Sequence, residues 1–143
     1  MRTDSEVTES GTRKALVISA AEENRAALSA VLAPAGIVLT QCSSIAEARQ
    51  HIRGDAFNVV FCDDCLPDGD LAVVVHEVDR LRNPIPVIAM SRTGEWDEFL
   101  EALRIGAFDY LALPPRRDEV ERVLASALSI SRPDNKVQVQ AGL

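Results

Sequence analysis

Residues 58–70, Asn-Val-Val-Phe-Cys-Asp-Asp-Cys-Leu-Pro-Asp-Gly-Asp, decide how the rest of the chain is read. An apolar run, Val59 to Cys62, stops at two adjacent carboxylates, Asp63 and Asp64, and a Leu-Pro-Asp-Gly turn follows. A short continuous run of this kind is what a parallel strand covered on both faces requires. In an open α/β sheet the C-terminal end of such a strand is where sites form. The same stretch carries Cys62 and Cys65 at Cys-x-x-Cys spacing. Either sulfur or carboxylate could therefore be the reactive group, and the surrounding sequence has to choose between them.

Four more segments read as strands: ALVIS (15–19), IVLT (37–40), PVIAM (86–90) and FDYLAL (108–113). Between and after the strands, apolar residues recur at helical spacing. The sets are Leu28, Val31 and Leu32; Ile45, Ala48 and Ile52; Leu71, Val74, Val75 and Val78; Trp96, Phe99, Leu100 and Leu103; and Val120, Val123, Leu124, Ala127 and Leu128. Ser44 and Glu47 form a capping-box signal for the second helix, while Gly36 and Gly106 follow the first and fourth. Aromatic and Met residues at these spacings are expected to be core. The alternation predicts a doubly wound α/β domain: five parallel strands in the order 2-1-3-4-5, with five helices on both faces. Residues 1–13 are polar and expected to form a disordered tail, 14–130 the domain, and 131–143 a second tail.

A chain of 143 residues with 47% apolar and 26% charged residues makes one ordinary globular domain. Its net charge of −7 argues against nucleic acid or an anionic membrane as the main partner. No apolar run approaches the roughly 20 residues of a membrane span, and the N-terminus has no apolar signal region. Three cysteines without framework spacing suit a reducing, cytoplasmic setting.

Around these strand ends the chain resembles the receiver domain of bacterial two-component response regulators, the CheY-like family, over roughly residues 14–130. NVVFCDDCLPDGD resembles that family's third strand with its phosphoacceptor, which falls on Asp63 and not Asp64. PVIAMSR resembles the fourth strand and its switch hydroxyl, here Ser91; GAFDYLALPP resembles the segment that carries the switch aromatic, here Tyr110. Asn24, Arg25 and Leu28 match the opening of the first helix. The resemblance also implies a cis bond between Leu113 and Pro114.

Three positions depart from the family's pattern. The acidic pair after strand one is replaced by Ser19 and Ala20, and the lysine before the proline is replaced by Leu113. Mg²⁺ takes hard oxygen ligands and is held by charge. Asp63 and one backbone carbonyl, that of Cys65 by analogy, would remain as protein ligands, so Mg²⁺ binding is expected to be weak. Glu22 or Glu23 could swing in as replacements. Arg92 either pairs with Asp63, standing in for metal and lysine, or points to solvent.

The cysteines fit neither usual role. A redox Cys-x-x-Cys places its first thiol at a helix N-terminus, whereas Cys62 ends a strand and the next helix starts near Asp70. Structural zinc needs four ligands, and Cys42, His51 and His76 are scattered. A flavin would need a phosphate-cradling loop after strand one, where SAAEEN stands.

The expected function is therefore that of a stand-alone, atypical receiver in phosphorelay signalling. It is not an enzyme beyond phosphoacceptor chemistry at Asp63. A sensor histidine kinase or another signalling protein is the expected partner, and a homodimer through the helix 4–strand 5–helix 5 face a further one. The alternatives are a phosphorylation-independent interaction module and, less favoured, a thiol-redox or flavin protein.

Overall fold

The computed structural model describes residues 13–130, and both expected tails lie outside this range apart from Arg13. Five strands form one parallel sheet: β1 (Arg13–Ile18), β2 (Ile37–Cys42), β3 (Val59–Asp63), β4 (Val87–Ser91) and β5 (Asp109–Ala112). Their order is β2-β1-β3-β4-β5, with every neighbouring pair parallel. Five helices connect and cover them: α1 (Glu22–Leu32), α2 (Ile45–Gly54), α3 (Leu71–Asp79), α4 (Trp96–Ile105) and α5 (Arg117–Ile130). The predicted architecture is thus the observed one.

Period-two alternation sorts the strand residues into two cores. Leu16, Ile18, Val60, Cys62, Val87 and Ala89 face α2, α3 and α4. Ala15, Val17, Val59, Phe61, Ile88 and Met90 face the other way, onto Leu28 and Leu32 of α1 and Val120, Val123 and Ala127 of α5. Covered on both faces, β1, β3 and β4 need continuous apolar runs, which is why they were legible.

Strand β1 begins earlier than expected because the main chain finds partners there. Arg13 and Lys14 sit opposite Ile37 and Val38, and the Lys14 amide donates to Asn58 Oδ1 at 2.8 Å. Helix α2 opens as the capping signal suggested, with Ser44 Oγ accepting from the Glu47 amide at 3.2 Å. The return bond is displaced by one residue: Glu47 Oε1 accepts from the Ser43 amide at 2.8 Å. Asp68 adds a second cap, accepting from the amides of Ile45 at 2.9 Å and Ala46 at 3.0 Å. That bond fastens the turn after β3 to the start of α2. Within the turn, Cys65–Leu66 pairs antiparallel with Gly69–Asp70, a small ladder the sequence did not announce.

Helix α4 departs from expectation. Trp96, Leu100 and Leu103 are 67%, 44% and 37% exposed, and Ala102 is the helix's buried residue. A helical period identifies one apolar face without saying what covers it. Here Ala102 and Ile105 turn toward the sheet, and the larger apolar residues are left outside. Among the described residues no helix is long and apolar enough to cross a membrane.

Gly106 ends α4 with φ of 124°, and a Cβ there would lie 2.9 Å from Val75 Cγ1 of α3. Replacing it with alanine combines backbone strain with overpacking. Gly106→Ala should cost about 1–3 kcal/mol. In urea unfolding this should appear as a lower midpoint at unchanged slope; an unmoved midpoint would show that α3 yields freely.

Candidate functional site

The ends of β1, β3 and β4 meet at one edge of the sheet, and pairing fixes their relative height. Asp63 sits opposite Met90, and the Asp64 amide donates to the Met90 carbonyl at 3.0 Å. Past the end of β1, the Ser19 amide donates to the Cys42 carbonyl at 3.0 Å. The side chains at these ends are thereby set by main-chain bonds rather than by loop conformation.

Asp63 is only 9% exposed. Ser19 Oγ donates to its Oδ2 at 2.7 Å, while Oδ1 is buried with no hydrogen-bond partner among the described residues. Ser19 is held in turn: Asn24 Nδ2 donates to its hydroxyl at 3.4 Å, and an Arg25 guanidinium nitrogen donates to its carbonyl at 2.6 Å. Burial pushes the Asp63 carboxyl above the ordinary carboxylate value, against the Ser19 bond, which pulls it down. The Ala20 amide also lowers it, Asp64 raises it, and the Arg92 charge is the smallest lowering influence.

A cleft of about 330 Å³ opens over this carboxylate. Of the residues expected to line the site, Ala20, Asp64, Cys65, Ser91, Arg92 and Leu113 do so, with Ser19 buried beside Asp63. Arg92 does not bond to Asp63 as one of its two readings required. Its guanidinium reaches Glu23 Oε2 at 3.5 Å, and both side chains are largely exposed. Glu23, at the start of α1, is the carboxylate that Arg92 meets in open solvent. The Leu113–Pro114 bond is cis.

Tyr110 stands in a neighbouring cleft of about 190 Å³, with Asp64, Ala89, Glu98 and Ala102. Its hydroxyl is buried without a hydrogen-bond partner among the described residues, and its ring meets Phe99 edge-on at 5.6 Å. Ser91 is 3% exposed, and its hydroxyl donates to Glu98 Oε1 at 2.7 Å. Glu98 and Thr93 belong to the site but were not found from sequence. The acidic first turn of α4 was visible, but nothing in the spacing aimed it at Ser91.

The donor set does not fit Mg²⁺. One oxygen of the buried carboxylate is taken by a neutral hydroxyl, and Ala20 brings no oxygen in its side chain. Glu23 is engaged with Arg92. Among the described residues no group of three His, Cys, Asp or Glu is placed to hold a metal.

The thiols do not fit redox chemistry. Burial pushes the Cys42 thiol up to about 11, with help from Glu47. It pushes Cys62 well above its ordinary value, with Asp63 adding to the effect. A thiol driven away from thiolate is a poor nucleophile, and all three cysteines are free, Cys65 on the surface.

Residues 15–125 match the response regulator receiver domain. This chain belongs to the response regulator receiver family. It is 26% identical to the response regulator protein PilR of Pseudomonas aeruginosa over 122 residues, covering 85% of this chain and 27% of PilR. It is 30% identical to the transcriptional regulatory protein ZraR of Escherichia coli over 102 residues, 71% of this chain and 23% of ZraR. The receiver thus spans about a quarter of the length of these curated relatives. Among solved structures, full-length FixJ from B. japonicum superposes with a TM-score of 0.78 at 24% identity, over 87% of this chain and 61% of that one. Residues 15–125 are thus a receiver domain of two-component signalling, a class of domain that interacts with histidine kinases and other signalling proteins.

The raised pKa of Asp63 fixes the sign of a pH effect. Between the unfolded and the folded pKa the native state binds more protons than the unfolded one, so stability falls as pH rises through that window. Asp63→Asn keeps an acceptor for Ser19 and removes the charge. The variant should be more stable than the parent at neutral pH, with the gain shrinking toward zero as pH falls below the ordinary carboxylate pKa. Thermal midpoints measured across pH check this; a gain independent of pH would show that Asp63 titrates alike in both states.

Proposed function

We propose that this receiver is an atypical one, with Asp63 at the phosphoacceptor position and signalling carried by protein contacts with little or no help from Mg²⁺. The observation that supports this best is the setting of Asp63. It ends the central strand, lines a cleft with Ser91, and is bonded to a neutral hydroxyl where the family resemblance puts acids. Leu113 stands in the lysine's place, and among the described residues no side-chain cation bonds to the carboxylate. Any phosphoryl group arriving from a sensor kinase's phosphohistidine would meet an acceptor with neither metal nor lysine to balance its charge.

A phosphorylation-independent interaction module is the second reading, favoured by the exposed Trp96, Leu100 and Leu103 on α4. Together with β5 and α5 this face is the proposed docking surface for a kinase, an effector or a second copy. The net charge of −7 speaks against nucleic acid as that partner, and three free thiols suit the cytoplasm.

Titration with Mg²⁺, alone and with beryllofluoride, tests the proposal by NMR and thermal unfolding. Millimolar Mg²⁺ should leave the thermal midpoint and Trp96 emission unchanged, and beryllofluoride should move the amides of Asp63 and Ser91 weakly or not at all. A site filled to 100 times its dissociation constant stabilises the fold by about 2.7 kcal/mol. A gain of that size that disappears in Asp63→Asn would restore the ordinary metal-dependent receiver.

A further inference from the structure

The end of β4 contains a second hydrogen-bonded group that none of the roles above uses. Ser91 Oγ and Thr93 Oγ1 both donate to Glu98 Oε1, the former at 2.7 Å. The Thr93 amide donates to Ser91 Oγ at 3.3 Å, and the Glu95 amide to Thr93 Oγ1 at 3.4 Å. Glu98 sits in the first turn of α4, where the helix dipole favours a negative charge. Across the cleft that Ser91 also lines, Asp63 Oδ1 is buried with no hydrogen-bond partner among the described residues.

A serine hydroxyl has one proton to give. Given to Glu98, it cannot also be given at Asp63. We propose that Glu98 is a positioning residue that holds the Ser91 hydroxyl on α4, away from Asp63, and so keeps the receiver in its resting arrangement. This rests on the reading of Ser91 as the moving hydroxyl.

Three features support the assignment. The bond is charge-assisted, and Ser91 is too buried for water to replace its partner freely. The Thr93 and Ser91 bonds hold the Glu98 carboxyl below its ordinary value, so it is ionised at neutral pH. Finally, Glu98 lines the cleft that contains Tyr110, and its neighbour Phe99 touches both the Tyr110 and Trp96 rings. The same turn of α4 therefore grips the hydroxyl of β4 and the aromatic of β5. Releasing Glu98 frees Ser91 to turn about its χ1 into another staggered well.

The test is Glu98→Ala in the full chain, read by amide NMR and by a crystal structure, with Glu98→Gln and Glu98→Ala/Ser91→Ala beside it. In Glu98→Ala the amides of Asp63, Asp64 and Ser91 should shift, and Ser91 Oγ should lie within hydrogen-bond reach of the Asp63 carboxylate. Glu98→Gln keeps an acceptor and should shift them less. Removing the Ser91 hydroxyl as well should abolish the shift at Asp63, which a merely structural disturbance of α4 would not do. Ser91 still turned to α4 in Glu98→Ala, or a shift at Asp63 that survives Ser91→Ala, overturns the proposal. Movement of Ser91 with Tyr110 and α4 unmoved upholds Glu98 as the holder and instead overturns the switch reading.

Discussion

The hydrogen bond from Ser19 to Asp63 sets the terms for the rest of the site. A carboxylate buried at the end of a central strand needs donors or a cation, because desolvation penalises its charge. Among the described residues the one side-chain donor is a neutral hydroxyl, to one oxygen, and the Ala20 amide adds a smaller pull. The hydroxyl is itself well anchored, since Arg25 and the Cys42 carbonyl fix the Ser19 backbone from two sides. Ser19 is therefore the side chain that offsets part of the desolvation of Asp63.

The sheet makes this setting rigid. Asp63 and Ser91 project from adjacent parallel strands whose bodies are packed on both faces. Neither strand can slip by a residue without exchanging its two apolar sets. What freedom the site has lies in side-chain torsions and in the segment from Arg92 to Glu95, which turns through Gly94 at φ of 64°. Exposure on α4 belongs to the same picture: a helix that buries little besides Ala102 is held to the sheet less firmly than α1 or α5.

Much of this was legible because burial on both faces leaves a plain trace. The runs Leu16–Ile18, Val59–Cys62 and Val87–Met90 could belong to few other settings, and Asp63 was marked by standing where one of them stops. Sequence placed Ser91 by the same logic, and Tyr110 only through the family resemblance. It could not place the partners, because partners depend on reach across space. Arg92 had a plausible mate in Asp63 on charge alone, yet Glu23 meets it in solvent at no cost of burying the guanidinium. Glu98 lies seven residues beyond Ser91, and the turn between them decides that they touch. Trp96, Leu100 and Leu103 follow the period of a core face, but period is blind to which side the sheet lies on.

Two carboxylates thus stand on either side of one buried hydroxyl. Glu98, at the less buried edge, stays ionised readily and accepts two hydroxyl protons. Asp63, deeper and already bonded to Ser19, pays more for its charge and has an oxygen left over. The hydroxyl goes to the carboxylate whose charge is easier to keep, not to the one in greater need of a donor. Making Asp63 a stronger acceptor, or Glu98 a weaker one, acts on the same balance from opposite sides. A partner that docks on α4 and moves its first turn acts on the Glu98 side without touching the acceptor at all. With Ser19, Ala20 and Leu113 around Asp63, none of them charged, that is the side on which the described residues leave control within reach.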